Sequence, residues 1–90
     1  MLAVAVGAVA SVAASVRCID AAREYARLAA RGEPDRGREF AARLAPSGAR
    51  IELVVRGDEV LVEVSAVAAP PLPLRVGGRA AAVLEPGVTP

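Results

Sequence analysis

Ile51-Glu52-Leu53-Val54-Val55-Arg56-Gly57-Asp58-Glu59-Val60-Leu61-Val62-Glu63-Val64 is the segment around which the rest of the chain has to arrange itself. Ile51, Leu53 and Val55, then Val60, Val62 and Val64, alternate with Glu52, Arg56, Glu59, Glu63 and Ser65, the period-two pattern of half-buried strands. Gly57-Asp58 sits between them, and a glycine-first pair suits a two-residue type II′ turn. Gly57 is therefore expected at positive φ. Folding at that point pairs Val55 with Val60, Leu53 with Val62 and Ile51 with Val64 on one face. The other face opposes Arg56 to Glu59, Val54 to Leu61 and, at a small electrostatic cost, Glu52 to Glu63. The apolar face needs a cover.

The cover is expected from upstream. Arg17, Asp20, Glu24, Arg27 and Arg31 recur at three- and four-residue steps, while Val16, Ile19, Ala22, Ala26 and Ala29 form a second, apolar stripe. Gly32 followed by Pro34 is a stop signal, so residues 2–31 read as one helix, apolar in its first half and amphipathic in its second. A short second helix is expected from Pro34, suited to a first-turn position, to Leu44. Phe40, Ala41 and Leu44 would be its apolar face, with Gly37 as a weakness. Ile19, Ala22, Ala26 and Phe40 are the residues expected to lie on the hairpin. Downstream, Pro70-Pro71-Leu72-Pro73 reads as a stiff bend, with a polyproline ligand as the alternative. Gly77-Gly78 leads into a third strand over Arg79–Leu84, and 86–90 reads as a loose tail. The expected fold is α+β: a long N-terminal helix, partly transmembrane, and a short second helix packed on a three-stranded antiparallel sheet. Residues 1–16 form the apolar half-helix and 17–85 the small domain.

Composition narrows function. Of 90 residues, 21 are alanine and 14 valine, while Tyr25 and Phe40 are the two aromatics, so few large side chains exist to offset chain entropy. A free-standing soluble domain is not the first expectation. Histidine, lysine, asparagine, glutamine and tryptophan are absent, which removes the usual general bases, Schiff-base formers and His/Cys metal clusters. An enzyme is not expected, nor a cofactor, a metal or a small-molecule substrate. Eleven arginines against ten acids are interspersed in sign, without the basic patch that nucleic-acid binding requires. The single Cys18 excludes an internal disulfide; a small buried thiol is its ordinary role.

Residues 1–16 carry no charge. As a helix they cover roughly 24 Å, less than the ~30 Å of a bilayer core, and their alanine content makes them mildly apolar. Without a basic n-region the run is a poor signal peptide. A membrane helix lacking its first turns is the preferred reading; a buried helix of a soluble protein is the alternative. Ala3, Gly7, Ser11 and Ser15, spaced by four, put small residues on one stripe where membrane helices could approach closely.

The segment Arg17-Cys18-Ile19-Asp20-Ala21-Ala22-Arg23, continuing through Arg27 and Arg31 to Gly32-Glu33, resembles the membrane-exit segment of TadE-like pseudopilins of actinobacterial type. The Pro46-Ser47-Gly48 turn, the 51–64 hairpin, the Pro-rich bend at 70–73 and the ending Val83-Leu84-Glu85-Pro86-Gly87 are similar to that family in order. The resemblance implies a minor pilin-like subunit of a Tad-type IV pilus or related secretion machine, held in the cell membrane by one helix with its C-terminal domain outside. Its partners would be other pilin-like subunits, assembly and secretion proteins, and membrane lipid. The family starts with a basic leader, a processing site, an acidic residue and further apolar residues, none of which precedes Met1. The expectation is a chain truncated at its front. Arginines after the span and none before it favour a cytoplasmic C-terminal domain, a conflict that a basic leader would remove. The competing expectation is a soluble helix–sheet interaction module docking through its apolar N-terminal helix.

Overall fold

An alanine-rich stretch from Leu2 meets no proline, and no glycine but Gly7, before Gly32, and it forms a single helix, α1, over Leu2–Ala30. The computed structural model describes the backbone of residues 2–68 and 74–88 and the side chains of residues 12–67 and 75–88. Gly32, at φ 86°, ends α1 in a Schellman motif: the Glu33 N–H donates to the Leu28 carbonyl at 2.9 Å and the Gly32 N–H to that of Ala29 at 3.0 Å. Pro34 then opens α2, Pro34–Leu44, which carries Asp35 in its first turn and Arg43 in its last, both favourable to the helix dipole.

Three strands follow: β1 (Arg50–Arg56), β2 (Glu59–Ala68) and β3 (Leu74–Val83), antiparallel in the order β1-β2-β3. The hairpin has the expected register, with Ile51, Leu53 and Val55 opposite Val64, Val62 and Val60, and Gly57 stands at φ 60°. Two helices packed on one face of a three-stranded antiparallel sheet make this an α+β domain. No helix among the described residues is long and apolar enough to cross a membrane.

Three local features differ from the expectations. First, β3 begins at Leu74, not after the glycines; Gly77 and Gly78 lie inside it, opposite Ser65 and Val64. A Cβ on Gly78 would lie 2.5 Å from the Cα of Ile19, so the glycine is what allows α1 to approach the sheet. Second, α2 buries Gly37 and Ala41, while Phe40 and Leu44 are 38% and 39% exposed. A Cβ at Gly37 would stand 3.0 Å from Tyr25 Cδ1 and 3.1 Å from both Leu28 Cβ and the Tyr25 carbonyl oxygen, so the two helices cross too closely for large side chains between them. Phe40 is displaced to the flank, with the Arg36 guanidinium 5.8 Å from its ring centre. Third, the described residues just after β3 make contacts with the end of α1. The Glu85 N–H donates to the Ala30 carbonyl at 3.0 Å, Arg31 and Glu85 approach to 3.9 Å, and Val88 packs against Gly32. The Pro-rich bend at 70–73 lies outside the described residues.

The core is a seam of small residues against valines. Cys18, Ala21, Ala22, Tyr25, Ala26 and Ala29 of α1 meet Val60, Val62, Val64 and Ala66 of β2. Alanine contributes little burial by itself, but it lets α1 lie close, and Val60, Val62 and Val64 of β2 are almost completely withdrawn from water. α1 covers β2 and β3, whereas α2 touches β1 only at its margin. Ile51 and Leu53 therefore stay half-buried and Val55 exposed.

Candidate functional site

Two surfaces are left over once the core is formed: the free half of α1 and the outward face of the sheet. Among the described side chains of α1, the first that is fully buried is Cys18; Val12 to Arg17 are exposed or half-buried, with Val12 64% and Val16 49% exposed. The helix thus extends past its own domain, and the molecule measures 54 × 19 × 14 Å. Of the small-residue stripe, Ser15 is half-buried; the side chains of Ala3, Gly7 and Ser11 lie outside the described residues. Of the four residues expected on the sheet, Ala22 and Ala26 belong to the buried cluster and Ile19 is half-buried beside Gly78. Phe40 lies outside that cluster.

The point where α1 leaves the domain is held by Arg17. Its Nε donates to the Leu44 carbonyl at 3.1 Å and its Nη2 to that of Ala45 at 3.4 Å. These are among the last carbonyls of α2, which lack intrahelical partners, so a cation there satisfies acceptors and complements the dipole. The charge spacing assigns Arg17 to a solvated stripe, and a partner 27 residues away leaves no trace in local spacing. Glu24 and Arg27, by contrast, form the i,i+3 pair that their spacing suggests. Next to Arg17, burial pushes the Cys18 thiol above its ordinary value, and the nearby guanidinium charge opposes this less strongly. Cys18 is therefore a protonated, inaccessible thiol, unsuited to nucleophilic work or to pairing with another chain while the fold is closed.

On the outward face the rows across the sheet are Arg56–Glu59–Val83, Val54–Leu61–Ala81, Glu52–Glu63–Arg79 and Arg50–Ser65–Gly77. One apolar row lies between charged ones. It lines a concavity of about 490 Å³ with Glu52, Arg56, Glu63 and Arg79 at its borders. Arg79 reaches Glu63 at 3.5 Å and Arg50 reaches Glu52 at 3.6 Å, both in solvent, where such pairs contribute ~0–1 kcal/mol. The concavity is open to solvent and lacks the enclosure and converging polar groups of a small-molecule pocket. Among the described residues no cluster of acidic, cysteine or histidine side chains could hold a metal ion. What these surfaces offer chemically is contact: an apolar helix and a striped sheet face.

Comparison with known proteins gives one informative match. No family model matches the chain, and no solved structure does. The chain is 39% identical over 89 residues to "Apoptosis inhibitor Rv3655c" of Mycobacterium tuberculosis, an alignment that takes in 99% of this chain and 71% of that protein. The match runs through α1, α2 and all three strands, not through one motif. At that identity and extent the two chains share ancestry, and this chain belongs to the family of Rv3655c.

Proposed function

We propose that this protein is a non-enzymatic, pilin-like subunit of a Tad-type IV pilus or related secretion apparatus, anchored by the apolar half of α1 with its sheet domain outside the cell. The observation that carries the reading is the division of α1. Among the described side chains of this one continuous helix, full burial starts at Cys18, while the uncharged turn before Arg17, residues 12–16, is exposed or half-buried. A projecting apolar helix needs a partner medium, either lipid or the equivalent helices of sister subunits. The TadE-like pattern over Arg17–Glu33 supports the same reading, since it falls where the helix enters the domain. In this reading the partners are other pilin-like subunits, assembly proteins and lipid, and neither nucleic acid nor a small-molecule substrate is engaged.

A second reading is a soluble interaction module that docks the apolar helix on a partner protein. Its support is that no helix among the described residues is long and apolar enough to cross a membrane. The name of the Mycobacterium tuberculosis relative, an apoptosis inhibitor, suits a protein that acts by binding another protein. Fractionation of cells expressing the protein from its own locus separates the two. The pilin-like reading expects carbonate-resistant membrane association and digestion of the sheet domain by protease added outside. Recovery in the soluble pool without detergent, or a domain protected until the cells are opened, would reject it.

A further inference from the structure

β1 is an edge strand: among the described residues β2 is its one neighbour in the sheet, and its other side has no hydrogen-bonded partner. Edge strands are commonly blunted by proline, lysine or a bulge. β1 has none of these; its charged residues, Arg50, Glu52 and Arg56, are of both signs and so admit a partner of complementary pattern, and its pairing with β2 runs without interruption from Arg50 to Arg56. We propose that β1 pairs antiparallel with β1 of a second copy of this chain, about a two-fold axis at Val54, giving a continuous six-stranded sheet.

The register follows from backbone parity and charge. In a two-residue hairpin the closing pair exchanges its hydrogen bonds, so Arg56, Val54, Glu52 and Arg50 direct their N–H and C=O groups to β2. Ile51, Leu53 and Val55 direct theirs to the open edge. A two-fold pairing then leaves one choice, the residue on the axis. An axis at Glu52 opposes Glu52 to itself and one at Leu53 opposes Arg50 to Arg56, like charges that destabilise a cross-strand pair. An axis at Val55 engages only the last residues of the strand, Val54 to Arg56, before the chain turns at Gly57-Asp58. An axis at Ile51 opposes Arg50 to Glu52 but engages only the first residues of the strand. An axis at Val54 opposes Glu52 to Arg56, twice by symmetry, with Val54 on Val54 and Leu53 against Val55, and leaves Arg50 beside the turn of the second copy. The charges that face each other across the strands are then opposite in sign.

The monomer leaves these groups in need of such partners. Arg56 and Asp58 form no ion pair among the described residues. Glu52 stands opposite Glu63, whose partner is Arg79, and is itself met only by Arg50 of its own strand. A second copy would bring Arg56 beside Glu52. The apolar residues agree: Val54 is 47% and Val55 37% exposed, on the strand that α1 does not cover.

The pairing concerns the sheet domain and does not depend on membrane anchoring. It is tested on the full chain in mild detergent. Val54→Cys places two thiols at the non-hydrogen-bonded centre of the seam, within the Cα range a disulfide accepts, and oxidation should yield a covalent dimer. Val67→Cys, equally exposed but on β2, should remain monomeric under oxidation. In sedimentation velocity, Arg56→Glu and Glu52→Arg should each weaken self-association about tenfold, and the double reversal should restore it. Circular dichroism identifies folded variants, and the cysteine arm stands if a charge variant does not fold. A folded chain that stays monomeric, a dimer indifferent to both reversals, or equal cross-linking at Val67 would overturn the proposal.

Discussion

The two halves of α1 are both rich in alanine, and their described side chains meet different fates. Before Arg17, alanine and valine alternate with serine, and the described side chains face outward. After it, alanine is interspersed with charge, and Cys18, Ala21 and Ala22 are fully buried. Hydrophobicity alone does not decide which alanines are buried, because the second half is the more polar of the two. The separation comes from what the rest of the chain presents. Gly78 on β3 and Gly37 on α2 open room at backbone level against Ile19 and Tyr25, and among the described residues no glycine does so against residues 12–16. Alanine on the second half is a contact surface, whereas on the first it is only mild apolarity.

The most severe way to break this contrast is Gly78→Ala. The new Cβ would lie 2.5 Å from the Cα and 2.6 Å from the N of Ile19, backbone atoms that cannot swing aside. A loss of about 3 kcal/mol, the upper end for overpacking, is expected in urea unfolding, a large part of a small domain's stability. Gly37→Ala is milder, because the gain in helix propensity of roughly 0.5–1 kcal/mol offsets part of the clash with Tyr25 and Leu28. The Tyr25 carbonyl oxygen at 3.1 Å cannot yield, so thermal melts should show a net loss of about 1–2 kcal/mol. Arg17→Ala removes two hydrogen bonds from the end of α2 and should cost about 1 kcal/mol, with amide exchange accelerated in α2 more than in the sheet. Val12→Ser sharpens the comparison from the other side. It should change unfolding free energy by less than about 0.5 kcal/mol, yet reduce partitioning into vesicles if the first half of α1 is the anchor.

Much of the framework was legible because its signals are local. Gly57-Asp58 between alternating valines specifies a hairpin and its register, and Gly32 with Pro34 specifies where α1 stops and α2 starts. What escaped depends on distances between elements. Gly77-Gly78 looks like a break, because the sequence does not reveal that Ile19 will lie against it. Phe40 and Leu44 look like the buried face of α2, because size normally tracks burial; here the crossing distance selects Gly37 and Ala41 instead. The Arg17 contacts join residues 27 and 28 positions apart and follow from tertiary placement alone. At the candidate surfaces, the charges of β1 were readable residue by residue. Their value as a set appeared only when the hairpin register and the order of the strands fixed which edge is open.

Cys18 gives the molecule an internal probe. Its sulfur lies where α1 first meets the sheet, wholly covered and kept protonated by its surroundings. Alkylation therefore has to wait for α1 to lift, and under reagent excess its rate reports how often that happens. Labelling with and without lipid vesicles or sister subunits would show whether engaging the free half of the helix steadies the buried half or levers it away. The one cysteine in the chain thus reads out mechanical coupling between the two halves of α1 without any added label.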